Sequence, residues 1–498
     1  PSTRTRVSFG TAFNLLGGFV RETVGQENSS LSKGESLFDT AQVISGYPLV
    51  DNLSAVSAVD LLGNGTACLV WSSPLPNAQG TQIRYIELMA KGKPHLLINT
   101  NNNLGAETHI HYLPSTYFYL KDKQAGKPWV TRLPFPVHVV EQVIVTDKWR
   151  KTRFASSYSY HHGYFDGIER EFRGFGRVEQ VDTESYGTFE AANTNSPYIS
   201  DDTLYQPPVK TITWFHTGAA IDRDKILSQF EQEYFPNNVA SGVIDSAYQE
   251  NIFPEPKLSH LMLNSDEWLE AMRACKGMPL RQEVYELDVT SLEDNQHVPV
   301  KLFTAAYHNC EIKRLQPKGD HKHAVFFVTE SEAITYNYEL DLTEGNVSPD
   351  PRIAHSFNTN IDEYGNVLQA VAVVYPRLHN YEDDGLDSRT VSLINEVQSQ
   401  PHIAYSENHF TDAVLPPDTL APPNRVTNGE FDNYHLPLPS EVKSYELTGL
   451  SVQLGNQYFT LQQLQALQLS TQYQATGTVV QELNYEQIAD GHSLQKRI

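Results

Sequence analysis

Ile334-Thr335-Tyr336-Asn337-Tyr338-Glu339-Leu340-Asp341 alternates large apolar and polar residues without a break. Successive side chains of a strand point to opposite faces. Ile334, Tyr336, Tyr338 and Leu340 therefore share one face, and Thr335, Asn337, Glu339 and Asp341 the other. Such a segment reads as a half-buried strand. The same alternation dominates the chain on either side. It is punctuated by Gly63-Asn64-Gly65, Gly163, Asp166-Gly167 and Tyr364-Gly365-Asn366, which read as turns. Repeated short strands with frequent turns predict a mainly β protein.

Helices are few and short. Asp222 to Tyr234 places Ile226, Leu227, Phe230 and Tyr234 on one stripe and stops before Pro236. Asn264 and Glu267 form a capping box ahead of a second helix, with Gly277 just past its end. Thr460 and Gln463 repeat the capping pattern before Leu464 and Leu467.

Composition narrows the function classes. A chain of 498 residues holds about two to four domains. With 26 Tyr, 22 Phe and only 19% charged residues, it suits a large β-rich globular protein and not a disordered one. Its 37 basic and 60 acidic residues give a net charge of −23, which repels phosphate backbones and excludes nucleic acid as the expected partner. The best basic stretch, Lys148-Trp149-Arg150-Lys151 with Arg153, is short and directly follows Asp147. Cys68, Cys275 and Cys310 are too scattered for a disulfide framework or zinc site and read as buried small hydrophobes. No apolar run reaches membrane-spanning length, so no membrane insertion is expected. Pro1-Ser2-Thr3-Arg4 carries neither an initiator Met nor a signal-peptide core, and both ends read as cut from a longer polypeptide.

The candidate chemistry is thin. His109 and His111 face one way on a strand, as two zinc ligands do, but no third ligand is identifiable and a wet sheet face accounts for them. His161-His162 lies near Asp166, Glu169 and Glu171. Adjacent residues on a strand point apart, so the pair does not readily serve one acid/base site. Glu169, Arg170, Glu171 and Arg173 suggest cross-strand charge pairing. Val59-Asp60-Leu61-Leu62-Gly63-Asn64-Gly65 invites a calcium reading, yet lacks further acidic ligands and reads as a turn. Pro134-Phe135-Pro136 marks an extended edge or crossover. Trp71 and Trp129 are core aromatics or partner anchors. No nucleophile elbow, phosphate loop, metalloprotease or dinucleotide fingerprint occurs, so no catalytic residue, metal ligand or cofactor site is assigned. Phe175-Gly176-Arg177-Val178 and Tyr364-Gly365-Asn366-Val367 share an aromatic-Gly-x-Val pattern, in which glycine would permit a tight turn.

Around that echo the chain resembles a known family. Tyr160-His161-His162-Gly163-Tyr164-Phe165-Asp166-Gly167-Ile168-Glu169-Arg170-Glu171-Phe172-Arg173-Gly174-Phe175-Gly176 is similar to the signature stretch of insecticidal toxin-complex B subunits and of the related Salmonella virulence-plasmid B proteins. Lys93-Pro94-His95-Leu96-Leu97, Asn102 to Thr108, Gly126-Lys127-Pro128-Trp129 and Leu133 to Val137 match in the family's order. Leu280 to Tyr285 and Asp362-Glu363-Tyr364-Gly365-Asn366-Val367-Leu368 follow downstream.

The resemblance, from about residue 55 onward, implies the C-terminal part of a β-propeller followed by a spiralling β-sheet shell of the Rhs (YD-repeat) type. Residues 1–98 would end the propeller and 99–498 form the shell segment, subdivided near 250 and interrupted by a Pro-rich loop at 415–424. It implies a secreted structural and delivery component that encloses a toxic polypeptide with a C subunit and docks through its propeller on a pore-forming A subunit. It implies neither enzyme activity nor a cofactor. Asp350-Pro351-Arg352 has only the first two residues of the aspartyl self-cleavage motif found in C subunits. Acidic groups such as Asp182, Glu184, Asp201 and Asp202 would face cargo or solvent, and the 18 His offer a pH-linked release. Two other classes fit composition alone: a carbohydrate-binding or adhesive β-protein using Tyr and Trp platforms, and a glycosidase using paired carboxylates.

Overall fold

A computed structural model describes residues 55–73, 80, 82–90, 92–150, 152–182, 208–239, 243–245, 248–253, 256, 262–293, 296–345, 347–412, 435–452, 457–467, 469–470, 480–484, 487 and 494–497. The chain divides into two compact units, Pro1–Gln206 and Pro207–Ile498.

In the first unit, β1 (Ala55–Val59), β2 (Cys68–Ser72) and β3 (Ile83–Glu87) form a three-stranded antiparallel sheet. A second meander follows: β4 (Asn99–Asn101), β5 (Ala106–Pro114), β6 (His138–Asp147), β7 (Thr152–Asp166) and β8 (Glu171–Val181), each pairing antiparallel with the next. Within the Asn-rich stretch, Asn99–Asn101 form a short edge strand. Asn102 then closes its turn by accepting the Leu104 and Ala106 amides. One helix, α1 (Ser115–Gln124), covers this sheet and was not legible in the sequence, since its residues show no amphipathic stripe. Pro134-Phe135-Pro136 lies on the irregular connection from α1 to β6, as its two prolines require. The core sits between α1 and the sheet, where Phe118, Trp129 and Val139 are buried against Tyr160 and Phe175.

The second unit is a longer antiparallel meander. Its strands are β9 (Val209–Phe215), β10 (Pro279–Leu287), β11 (Pro299–Gln316), β12 (Val325–Asp341), β13 (Arg352–Ile361), β14 (Val367–Val374), β15 (His402–Phe410) and β16 (Pro439–Thr448). The parallel pair β17 (Gln481–Leu483) and β18 (Gln495–Arg497) ends it, with β18 against β16. Ile334, Tyr336, Tyr338 and Leu340 are all buried, and their alternating neighbours are not. The strand reading therefore holds residue by residue on β12. Equivalent rows continue across the sheet as Ile353 and Phe357, Val371 and Val373, Ile403 and Tyr405, and Tyr445 and Leu447.

Helices in this unit connect and cover. They are α2 (Arg223–Glu233), α3 (Ser265–Ala274), α4 (Val289–Glu293), α5 (Ser388–Gln398) and α6 (Leu461–Gln465). In α2, Ile226 and Phe230 are buried as the stripe predicts. Asp222 precedes it in the left-handed region at φ 62° and makes no side-chain cap. The capping box is present: Asn264 Oδ1 accepts the Glu267 amide at 2.9 Å and Glu267 accepts the Asn264 amide at 3.3 Å. Thr460 Oγ1 likewise accepts the Gln463 amide at 3.2 Å. The α5 helix was not anticipated, although Asp387 caps it through the Arg389 and Thr390 amides. Cys68, Cys275 and Cys310 are buried free thiols. The Pro-rich loop at 415–424, the side chain of Trp71, and Glu184, Asp201 and Asp202 lie outside the described residues. Asp182 is exposed.

Candidate functional site

The signature stretch builds the β7–β8 hairpin. Gly167 to Arg170 form its turn, with Glu169 and Arg170 exposed and Arg170 left-handed at φ 53°. Asp166 folds that turn: its Oδ1 accepts the Ile168 amide at 2.9 Å and the Glu169 amide at 2.8 Å. Its Oδ2 lies 3.3 Å from the buried Arg173 guanidinium, which also reaches Glu171 at 3.2 Å. The expected charge pairing is therefore made by Asp166, Glu171 and Arg173, while Glu169 and Arg170 serve the turn.

Two glycine readings are corrected. Gly163 is not a turn residue; it lies within β7, and a Cβ there would meet Leu133 at 2.9 Å, Trp129 at 3.0 Å and Phe175 at 3.1 Å. Close approach of three core side chains, not positive φ, requires glycine. Gly176 lies buried within β8, whereas the left-handed glycine of that strand is Gly174 at φ 86°. Phe175-Gly176 and Tyr364-Gly365 thus occupy different structures. In the latter, Asp362 Oδ1 accepts the Tyr364 and Asn366 amides at 2.9 and 2.8 Å, Gly365 takes φ 90°, and Phe327 packs where its Cβ would be.

The aromatic residues of the hairpin converge beneath α1. Phe175 contacts Tyr160, Trp129 and Phe172 with ring centroids 5.0, 6.2 and 5.6 Å away. Burial pushes the Tyr160 hydroxyl up to about 12. Trp129 is a core anchor whose Nε1 donates to Asp122 at 2.6 Å, and His161 Nδ1 meets the same Asp122 oxygen at 2.6 Å. His161 Nε2 lies 3.7 Å from Glu179. His162 is left-handed at φ 56°, which interrupts strand alternation, and its ring lies 6.5 Å from that of Trp129. Both His therefore border the Asp122–Trp129 pair, contrary to the simple two-face expectation. Asp122 comes from α1, 39 residues from His161, so no local pattern signals this convergence.

The second unit buries a stronger charge cluster. Arg281 has no exposure; its Nη1 bonds Glu250 at 2.6 Å, its Nε bonds Glu283 at 2.6 Å and its Nη2 donates to the Phe235 carbonyl at 3.0 Å. The guanidinium lies over Tyr307 at 4.2 Å and Tyr234 at 5.0 Å. Glu250 also accepts from Tyr307 at 2.9 Å and from Tyr338, and Glu283 accepts the Phe235 amide at 2.8 Å and Tyr285 at 2.7 Å. These donors all come from the chain itself, so the network ties the connection carrying Phe235 and Glu250 to β10, β11 and β12. Arg281 and Glu283 lie in the Leu280 to Tyr285 stretch of the family resemblance; Glu250 carried no such signal, because it comes from an irregular connection.

Other polar candidates are similarly occupied. Both Asp60 oxygens accept loop amides, from Asn64 at 3.1 Å and Gly65 at 2.8 Å, which makes the loop a self-closed turn. His109 shares its strand face with Glu107, which pairs with Lys148. Trp149 is 82% exposed and covers Gly105, while Arg150 pairs with Asp147 at 3.1 Å. Among the described residues no three His, Cys, Asp or Glu side chains converge as a metal site. Nor is any helix among them long and apolar enough to cross a membrane.

Comparison with known proteins places these features. Residues 29–207 match the family described as insecticide toxin TcdB middle/N-terminal region, and 270–419 match insecticide toxin TcdB middle/C-terminal region. The chain is similar to the crystal structure of TcdB2-TccC3 without its hypervariable C-terminal region, with 26% identity, a TM-score of 0.57, and coverage of 80% of this chain and 17% of that one. It is also similar to the Photorhabdus luminescens Tc holotoxin pore, with 25% identity, a TM-score of 0.55, and coverage of 80% and 16%. Residues 1–53 match a different family, the carbamoyl-P binding domain of aspartate/ornithine carbamoyltransferase. There the aspartate carbamoyltransferase catalytic subunit of Cellvibrio japonicus is 83% identical over 47 residues, and that of Saccharophagus degradans 74% over 47. These cover 9% of this chain and 14% of each relative. The chain thus spans about a sixth of the toxin structures and a seventh of the carbamoyltransferases. This second likeness was missed in the sequence. Ser2-Thr3-Arg4-Thr5-Arg6, an anion-friendly run in an acidic chain, was the available signal.

Proposed function

We propose that this chain, which belongs to the TcdB family of insecticidal toxin-complex B subunits, is a non-enzymatic wall segment that encloses and delivers a toxic polypeptide. In this reading the region up to residue 98 ends a β-propeller that docks on a pore-forming A subunit, and 99–498 contributes shell closed by a C subunit. The assembly would act after secretion. The observation that carries the reading is the likeness of 80% of the chain to TcdB2 in its complex with TccC3. Two physical features support it. Long antiparallel meanders pair each strand with its neighbours along the sheet, which suits a wall that excludes proteases. The charges buried around Arg281 are met by partners within the chain, as rigid scaffolding requires.

The test is protease protection. A cargo-bearing C subunit is digested with trypsin alone and after assembly with a B polypeptide carrying this region. Persistence of the cargo only in the assembled sample supports encapsulation. Equal cleavage in both samples would overturn it.

A further inference from the structure

His355 lies on β13 with a fully buried side chain. Phe253 stacks on its ring at 5.4 Å, and the Phe357 ring lies 3.8 Å away. Its Nδ1 is 3.0 Å from the Tyr375 hydroxyl, which accepts the Phe459 backbone N–H at 3.0 Å. A backbone N–H only donates, so the Tyr375 proton remains for His355, and Nδ1 accepts it. The ring proton then sits on Nε2, facing Glu332 Oε2 at 3.6 Å. The other tautomer would set a lone pair against that carboxylate. One neutral imidazole therefore joins the 248–253 connection, the sheet and the segment that carries Phe459 into α6.

We propose that His355 is a proton-operated catch: neutral, it fixes the Tyr375 hydroxyl that holds the Phe459 segment on the sheet, and protonated, it no longer accepts from that hydroxyl and so weakens the hold. A second proton enters only at Nδ1, where it meets the hydroxyl proton of Tyr375. One of the two must turn away, and Tyr375 has no further hydrogen-bond partner among the described residues. Among the described residues the facing groups are few: Glu332 on β12 is the charged one, Tyr375 follows β14, and Tyr458 touches Tyr375 with rings 4.9 Å apart. Phe253 and Phe357 add apolar rings alone. Glu332 favours the imidazolium, but it stands at 3.6 Å and already accepts from Asn309 at 3.0 Å.

Burial outweighs Glu332 and holds His355 below its usual value of 6.5. The closed state therefore binds the proton less readily than an opened state. Closure is fully favoured at neutral pH and weakens as pH falls through the usual histidine range. The catch rests on these contacts and does not depend on the delivery reading.

Hydrogen exchange of the whole chain tests it, read on a peptide spanning 457–467 and corrected for the intrinsic effect of pH. Protection should fall severalfold between about pH 7.5 and 5.5, because the opened state takes up the proton more readily than the closed one. His355→Asn keeps a polar acceptor near Nδ1 without a titrating ring, and its protection should stay level. Tyr375→Phe deletes the contact and should leave protection low at both values. Equal wild-type protection at the two pH values overturns the catch. So does a fall that persists undiminished in Tyr375→Phe, a comparison that decides the matter even if His355→Asn does not fold.

Discussion

Replacing Arg281 by Met would remove the one cation from a site that buries two carboxylates. Glu250 and Glu283 each have 1% side-chain exposure, and each lies 2.6 Å from the guanidinium. Breaking a buried pair by removing one partner costs about 3–5 kcal/mol, because the remaining charge is left uncompensated. Loss of the guanidinium over Tyr307 and Tyr234 adds about 1 kcal/mol. The remaining donors soften the loss: Tyr307 and Tyr338 still serve Glu250, and the Phe235 amide and Tyr285 still serve Glu283. The expected net loss is about 3–4 kcal/mol at neutral pH, toward the lower end of that range. One feature distinguishes this from lost packing. Adding Glu250→Gln and Glu283→Gln should recover most of it, because neutral amides need no cation. Urea unfolding followed by Trp214 fluorescence gives the measurement, since Trp214 is fully buried and packs on Tyr234 at 4.9 Å. A loss below about 1 kcal/mol, or one unchanged by the added glutamines, would refute the charge argument.

Gly163→Ala should cost about 1–3 kcal/mol in thermal or urea unfolding of the first unit, because its Cβ meets Leu133, Trp129 and Phe175 at 3.1 Å or less. Wild-type stability there would show that the core yields. Burial lowers His216 to about 4, so the folded state resists its protonation. Stability from this group is complete above the usual value of 6.5 and declines by about 3 kcal/mol as pH falls toward 4. His216→Gln should flatten that part of the pH–stability curve, and an unchanged slope counts against it. Deleting residues 1–28 should leave the unfolding midpoints unchanged, since this segment matches a different family and precedes the toxin-family match. A midpoint shift of several degrees on calorimetry would show that it is integrated.

Much of the fold was legible because strand alternation is a local property. The faces of β12 and the capping box at Asn264 follow from residues adjacent in sequence, whose geometry the backbone alone dictates. The family signature was legible for the same reason, as a contiguous run from Tyr160 to Gly176. What the sequence could not supply was convergence. Asp122, Trp129 and His161 meet only because α1 lies across β7, and α1 carries no stripe that would announce it. Glu250 reaches Arg281 from an irregular connection, 31 residues away in sequence. Gly163 is required by three side chains from elsewhere in the fold, not by its own turn propensity.

The sequence alone determined a mainly β chain, its strand faces and its resemblance to toxin-complex B subunits, because those rest on local periodicity and a contiguous signature. Only the tertiary structure decided which charges are buried together, which histidine is locked neutral and which glycines are sterically required. Those properties arise from side chains brought together across tens of residues, where neither propensity nor spacing acts.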